Sequence, residues 1–165
     1  SLNRNFTNLL YQNYDFSALR NGYLKKQGSN VDSIIKGSFK KPYLQKPERK
    51  ISIVNIEYLK KIIKFCDEHN KKVFLIRCPL HKMYPILYNE KIYRRYILDT
   101  FSKIEFLDFK DFPLKNSDFY DLDHLNVDGS IKFSIFFNSL IKNGLLDKTE
   151  KQKFINEQQF NKRKS

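Results

Sequence analysis

Lys71-Lys72-Val73-Phe74-Leu75-Ile76-Arg77-Cys78-Pro79 is the stretch whose reading decides the fold. Four consecutive apolar residues, entered through a lysine pair and closed by Arg77, Cys78 and Pro79, fit a strand covered on both faces, because no polar residue alternates with the apolar ones. Such strands are usually parallel, and parallel strands are joined by crossover helices. The flanking sequence supplies them. Upstream, Ile56, Leu59, Ile62, Ile63 and Cys66 recur at helical spacing between Asn55, the expected N-cap, and Asn70, the expected stop. Downstream, a helical stretch from about Ile86 to Phe101 leads into Ile104-Glu105-Phe106-Leu107-Asp108-Phe109, a second strand. From Asn126 to Asn143, Ile131, Ile135, Phe136, Leu140 and Ile141 mark another helix, with Gly144 placed to end it. Helices alternating with buried strands imply right-handed crossovers around a parallel sheet, so the expected class is α/β. Two strands are fewer than the about five such a sheet normally holds.

Three regions follow from the same pass. Residues 1–50 are rich in Asn, Tyr, Lys and Ser and are interrupted by Gly22, Gly28, Gly37, Pro42 and Pro47, which predicts a basic, irregular segment with at most one short helix. Residues 51–146 carry the α/β pattern. Residues 147–165 read as a polar, basic tail that frays. A length of 165 residues suits one domain, and 15 Phe with 10 Tyr are too many for a disordered chain.

The net charge of +13, from 31 Lys plus Arg against 18 Asp plus Glu, attracts phosphates, anionic lipid heads and acidic glycans alike. The lysines are scattered in pairs such as Lys25-Lys26, Lys40-Lys41 and Lys60-Lys61, not gathered into a basic block interleaved with stacking aromatics. That pattern argues against a specific nucleic-acid site and leaves an anionic polymer as a candidate partner. No apolar run approaches the roughly 20 residues of a membrane-spanning helix, so membrane anchoring would need a segment outside this sequence. Ser1-Leu2-Asn3-Arg4-Asn5 has no apolar signal core. Cys66 and Cys78 are expected to pack as small apolar residues, and the absence of C-x-x-C or H-x-x-x-H spacing predicts no metal and no cofactor.

In open parallel sheets the ligand site lies beyond the C-terminal strand ends, which places Arg77, Cys78 and His81 after one strand and Asp108 through His124 after the next. Asp121 precedes His124 by three residues. A carboxylate so placed can accept the Nδ1 proton of the imidazole, fix its tautomer and leave Nε2 free to deprotonate a hydroxyl. Asp121 is favoured for that role over Asp123, whose adjacency points it elsewhere. Asn126 is placed to cap the following helix, whose first turn contains Asp128 and Gly129. His81, Arg77 and Asn126 are the candidates for contacting substrate. The plainer alternatives are a surface-loop His81 and an Arg77 paired with a nearby acid. His69 fits a favourable contact with a helix C-terminus. The whole Asp-x-Asp-His block could also be a helix-entry loop built on Asx capping.

Taken as a longer string, Phe119-Tyr120-Asp121-Leu122-Asp123-His124-Leu125-Asn126-Val127-Asp128-Gly129 resembles the D-x-x-H-L-N-x-x-G ending of SGNH (GDSL-like) hydrolases. It is most similar to the envelope-associated branches that include the teichoic-acid D-alanylation protein and the alginate acetylation enzymes. The resemblance spans roughly residues 55–146 in element order and 119–134 as a motif. It implies a flavodoxin-like three-layer α/β/α sandwich, with His124 as general base and Asp121 as its orienting carboxylate. The family's nucleophile sits in a Gly-Asp-Ser turn after the first buried strand, and this sequence has none. Gly28-Ser29, Asp32-Ser33 and Gly37-Ser38 follow no apolar strand and read as ordinary loop serines.

The expectation is therefore a C-terminal portion of an acyl esterase or O-acyltransferase acting on cell-surface carbohydrate esters. Its serine would lie outside the chain, which alone would be inactive, and its parent would be extracytoplasmic or membrane-anchored. The absence of Met at position 1 leans the same way; a degenerate homologue that has lost catalysis is the alternative. The competing class is a non-catalytic binding domain whose basic surface holds an anionic polymer or a protein partner.

Overall fold

The computed structural model describes residues 19–20, 23–24, 26–37, 52–84 and 90–164. The strand read from Val73 to Ile76 is β3 (Phe74–Arg77), and it pairs in parallel with β4 (Glu105–Asp108). The register sets Phe74 opposite Glu105 and Arg77 opposite Asp108. Helix α2 (Ile53–Glu68) enters β3, and α3 (Glu90–Thr100) joins β3 to β4. The α2 start lies upstream of Asn55, because the Ser52 side chain accepts the Asn55 N–H at 3.3 Å and captures an otherwise orphaned donor. At its other end His69 Nδ1 lies 2.8 Å from the Phe65 carbonyl, the expected helix-end contact. The expected helix over 86–101 is described from Glu90 onward.

Side chains alternate across β3 and β4, and each face meets a helix, although Ile76 of β3 stays 44% exposed. Phe74 and Leu107 face a core formed with Phe136 and Leu140 of α4 (Val127–Lys142) and with Ile155. On the opposite face Arg77 reaches Glu90 of α3, and Tyr93 of α3 sits edge-on to Phe106. The chain is thus α/β, with a small two-stranded parallel sheet among the described residues.

Two expectations need correction. The tail over 147–165 is not frayed: Lys151–Lys164 forms helix α5, with Ile155 fully buried in the main core. Its polar residues hid this, because they are spent on the sheet. The Gln152 side chain accepts from the Asp108 N–H at 2.8 Å and donates to the Asp108 carbonyl at 2.9 Å, as a neighbouring strand would. Lys151 meanwhile pairs with Glu105 at 2.9 Å. The cysteines are not core residues either; Cys66 is half-buried and Cys78 exposed, both as free thiols.

Within residues 1–50 the described parts are a two-residue antiparallel pair, β1 (Leu19–Arg20) with β2 (Tyr23–Leu24), and the short helix α1 (Val31–Ile35). Residues 26–30 and 36–37 flank α1 without regular structure, and the other residues of this region lie outside the described ones. Val31 and Ile34 of α1 form a second apolar cluster with Phe119 and Leu122. That cluster seats α1 directly on the loop carrying Asp121 and His124.

Candidate active site

The loop between β4 and α4 is folded back on itself. Phe119 bridges to Leu125, and the Tyr120 N–H donates to the His124 carbonyl at 2.9 Å. Phe119 and Leu122 point inward, which turns the polar side chains of the same loop outward. Asp121 Oδ1 accepts from the backbone N–H groups of Asp123 at 3.1 Å and His124 at 2.9 Å, an Asx-type turn. The same oxygen lies 2.9 Å from His124 Nδ1, while Asp123 Oδ1 stands farther from that nitrogen, at 3.3 Å. The His124 side chain is 60% exposed, and among the described residues nothing bonds its Nε2. Burial alone would raise the Asp121 carboxyl, but hydrogen bonds from Asp123 and His124 more than reverse this and hold its pKa at about 2.

The residues that follow fix this loop to the helix. Asn126, buried, caps α4 by accepting the Gly129 N–H at 3.0 Å. Its amide nitrogen donates to the carbonyls of Gly28 at 2.9 Å and Ser117 at 2.7 Å. All these partners are protein atoms, so Asn126 ties together three stretches of chain and is not turned toward a substrate. Gly129 is required by close approach: a Cβ there would stand 2.0 Å from the Asp118 carbonyl oxygen. Asp118 is itself buried, accepting from Lys115 N at 3.0 Å and Lys132 Nζ at 2.6 Å. Asp118 was not among the sequence candidates; its position one residue before the apolar Phe119 was the only local signal.

His81 is also buried, and both ring nitrogens are engaged. Nδ1 accepts the Met83 N–H at 3.1 Å, which puts the proton on Nε2, 3.0 Å from Asn116 Oδ1. Its ring meets Phe119 edge-on, and its backbone N–H donates to the Leu122 carbonyl at 3.0 Å. His81 therefore braces the Asp121/His124 loop from behind. Arg77 takes the other alternative raised by its sequence context and pairs with acids. It grips Asp108 with Nε and Nη2, and Nη1 lies 2.8 Å and 3.0 Å from the two oxygens of Glu90. Arg94 closes the ring, at 2.7 Å from both Glu90 and Asp108. Burial opposes every charge here, yet the pairing wins: the Arg77 guanidinium is pushed up, and the Glu90 and Asp108 carboxyls are held below their ordinary range.

An open cavity of about 560 Å³ at the strand ends has Arg77, His81, Tyr84, Tyr93 and Arg94 in its wall and reaches the His124 loop at Asp123, while Asp121 and His124 themselves do not line it. Asp121, Asp123 and His124 bring ligand-type atoms within 4.8 Å of one another, and their mutual hydrogen bonds already account for that convergence. Ser29 Oγ donates to the Asn116 carbonyl at 3.0 Å and receives the Val31 N–H at 3.3 Å, the pattern of a loop serine. Ser33 is exposed on α1, and Ser38 lies outside the described residues. The arrangement can take up a proton at an exposed Nε2 and share the resulting charge with Asp121. No curated protein and no solved structure matches the chain. A family model does match, over residues 18–146, and on that extent the chain belongs to a protein family whose function is uncharacterised.

Proposed function

We propose that Asp121 and His124 form the base half of an SGNH-like serine esterase or O-acyltransferase site that acts on carbohydrate esters, the nucleophilic serine being supplied from outside the described residues. The observation that carries this reading is the 2.9 Å contact between Asp121 Oδ1 and His124 Nδ1 with Nε2 left exposed. A carboxylate held at a pKa of about 2 is ionised throughout the working range, so it accepts the Nδ1 proton and fixes the tautomer in which Nε2 is the base. His124 would take the serine proton as the acyl-enzyme forms, then return one to the departing oxygen. Helices on both faces of β3 and β4 support a three-layer, flavodoxin-like setting for this site.

The test is ester hydrolysis by the complete gene product, with 4-nitrophenyl acetate as the reporter. Replacing His124 with Ala is expected to lower kcat/KM by about 10³-fold or more, and Asp121→Asn by about 10²-fold or more, each with unchanged folding. Full activity in His124→Ala would end the assignment. The second reading, a binding role for an anionic polymer, rests on the net charge of +13. It predicts polyanion binding that weakens steeply with salt and is indifferent to His124.

A further inference from the structure

The outer edge of β4 lies at the bottom of a groove between α3 and α5. The Phe109 N–H donates to the Arg77 carbonyl at 2.9 Å, which fixes the parity of the ladder: Leu107 and Phe109 turn their backbone groups toward β3, and Phe106 and Asp108 turn theirs outward. Of those outward groups, both belonging to Asp108 are taken by the Gln152 side chain. The N–H and carbonyl of Phe106 have no partner among the described residues. Directly beside them runs an open cavity of about 730 Å³, with Leu98 of α3 and Phe101 just beyond that helix on one wall and Gln159 and Phe160 of α5 on the other. Leu98 is 66% exposed and Phe160 55% exposed. Gln159, by contrast, is only 5% exposed, and its amide nitrogen has no hydrogen-bond partner among the described residues. A buried amide left unpaired is costly, and here it lines the same groove as an unpaired backbone couple.

We propose that this groove is a docking site for a short extended peptide segment of a protein partner, which adds to the β4 edge at Phe106. Its backbone would complete the ladder couple of Phe106. Its next carbonyl or N–H would satisfy the Gln159 amide, and its apolar side chains would lie against Leu98 and Phe160. The internal Gln152–Asp108 contact shows the same edge already accepting an amide in place of a strand. Other occupants fit less well. A lipid or other purely apolar ligand would leave Phe106 and Gln159 unsatisfied. A polyanion finds no spare cation, since Arg94 is paired with Asp108, and Lys110 with Asp111.

The experiment is an NMR titration of the isotope-labelled chain with a blocked hexapeptide of alternating valine and threonine. Saturable shifts are expected at Phe106, Leu98 and the Gln159 side-chain amide, with exchange of the Phe106 amide slowed about ten-fold or more at saturation. Gln159→Leu, which keeps the bulk and removes the amide, should weaken binding about five-fold. The same peptide N-methylated at alternate amides should not bind, and His124→Ala should bind normally. The proposal is overturned if no saturable shift occurs up to the solubility limit, or if shifts centre elsewhere. Equal binding of the N-methylated peptide overturns it too. So does a Phe106 amide as protected in the free protein as that of Leu107, since the chain itself would then fill the groove.

Discussion

Two polar clusters sit at the C-terminal ends of the same pair of strands, and they are built to opposite ends. In the first, Arg77 and Arg94 meet Glu90 and Asp108, two cations against two carboxylates, and all four groups find partners inside the ring. In the second, Asp121 Oδ1 gathers two backbone N–H groups and one ring nitrogen, and the remaining imidazole nitrogen is left facing solvent. In the first cluster every charged group is engaged by a group of opposite charge, which suits it to hold the strand ends together. The second is rigid on one side and unsatisfied on the other, which is what a general base requires. Titratable residues near a strand end are thus a poor guide to chemistry on their own. The discriminating feature is whether an atom is held in place and still free to bond something else.

The sharpest way to break this comparison is to truncate one side chain in each cluster. On the proposed function, His124→Ala should lower kcat/KM for ester hydrolysis about 10³-fold or more while moving stability by no more than about 0.5 kcal/mol, because the side chain is mostly exposed. Arg77→Ala should do the reverse. The side chains of Arg77 and Asp108 are only 14% and 11% exposed, so removing the guanidinium leaves two carboxylates short of a partner. We expect a loss of about 3 kcal/mol in urea unfolding. If Arg77→Ala instead left stability intact and abolished activity, the ring would be part of the site and not its support. Asn126→Ala comes next in size, at about 2 kcal/mol, since it removes the α4 cap and strands the carbonyls of Gly28 and Ser117 together.

The Asp121/His124 pair was legible in the sequence because it is local. Asp121 and His124 are three residues apart, and the cap of α4 by Asn126 onto Gly129 spans three more. Capping and turn rules operate at that range. The two strands were legible for a similar reason, since each is built around neighbouring apolar residues, although the run through β3 did not foretell that Ile76 is 44% exposed. What escaped was the contact between distant polar groups. Gln152 bonds Asp108 across 44 residues, and Asn126 bonds Gly28 across 98. No periodicity in residues 147–165 announces that a glutamine there will stand in for a strand, and a helix with few apolar residues reads as solvent-facing until its partner is known. His81 was placed correctly after β3 in sequence, but its burial depends on Phe119 and Asn116, both far along the chain. The structure shows it bracing the loop while also lining the cavity at the strand ends.

The smallest expected effects separate the two aspartates of the loop. Asp121 has a folded-state pKa of about 2, below its ordinary 3.8. A depressed carboxyl contributes stability that is present above the ordinary value and lost as pH falls through the folded one, so this contribution should fade between about pH 4 and pH 2. Asp121→Asn should therefore flatten the acid limb of a Tm-against-pH curve in that window, and lower Tm slightly at pH 7 where the ionised carboxylate is lost. Asp123 stands 3.3 Å from the same ring nitrogen, so Asp123→Asn should change the profile less and, on the proposed function, lower kcat/KM by under about ten-fold. The order of the two is what matters. Should Asp123→Asn prove the more damaging, the 3.3 Å contact would be the functional one, and the 2.9 Å contact of Asp121 would revert to a turn that merely shapes the loop.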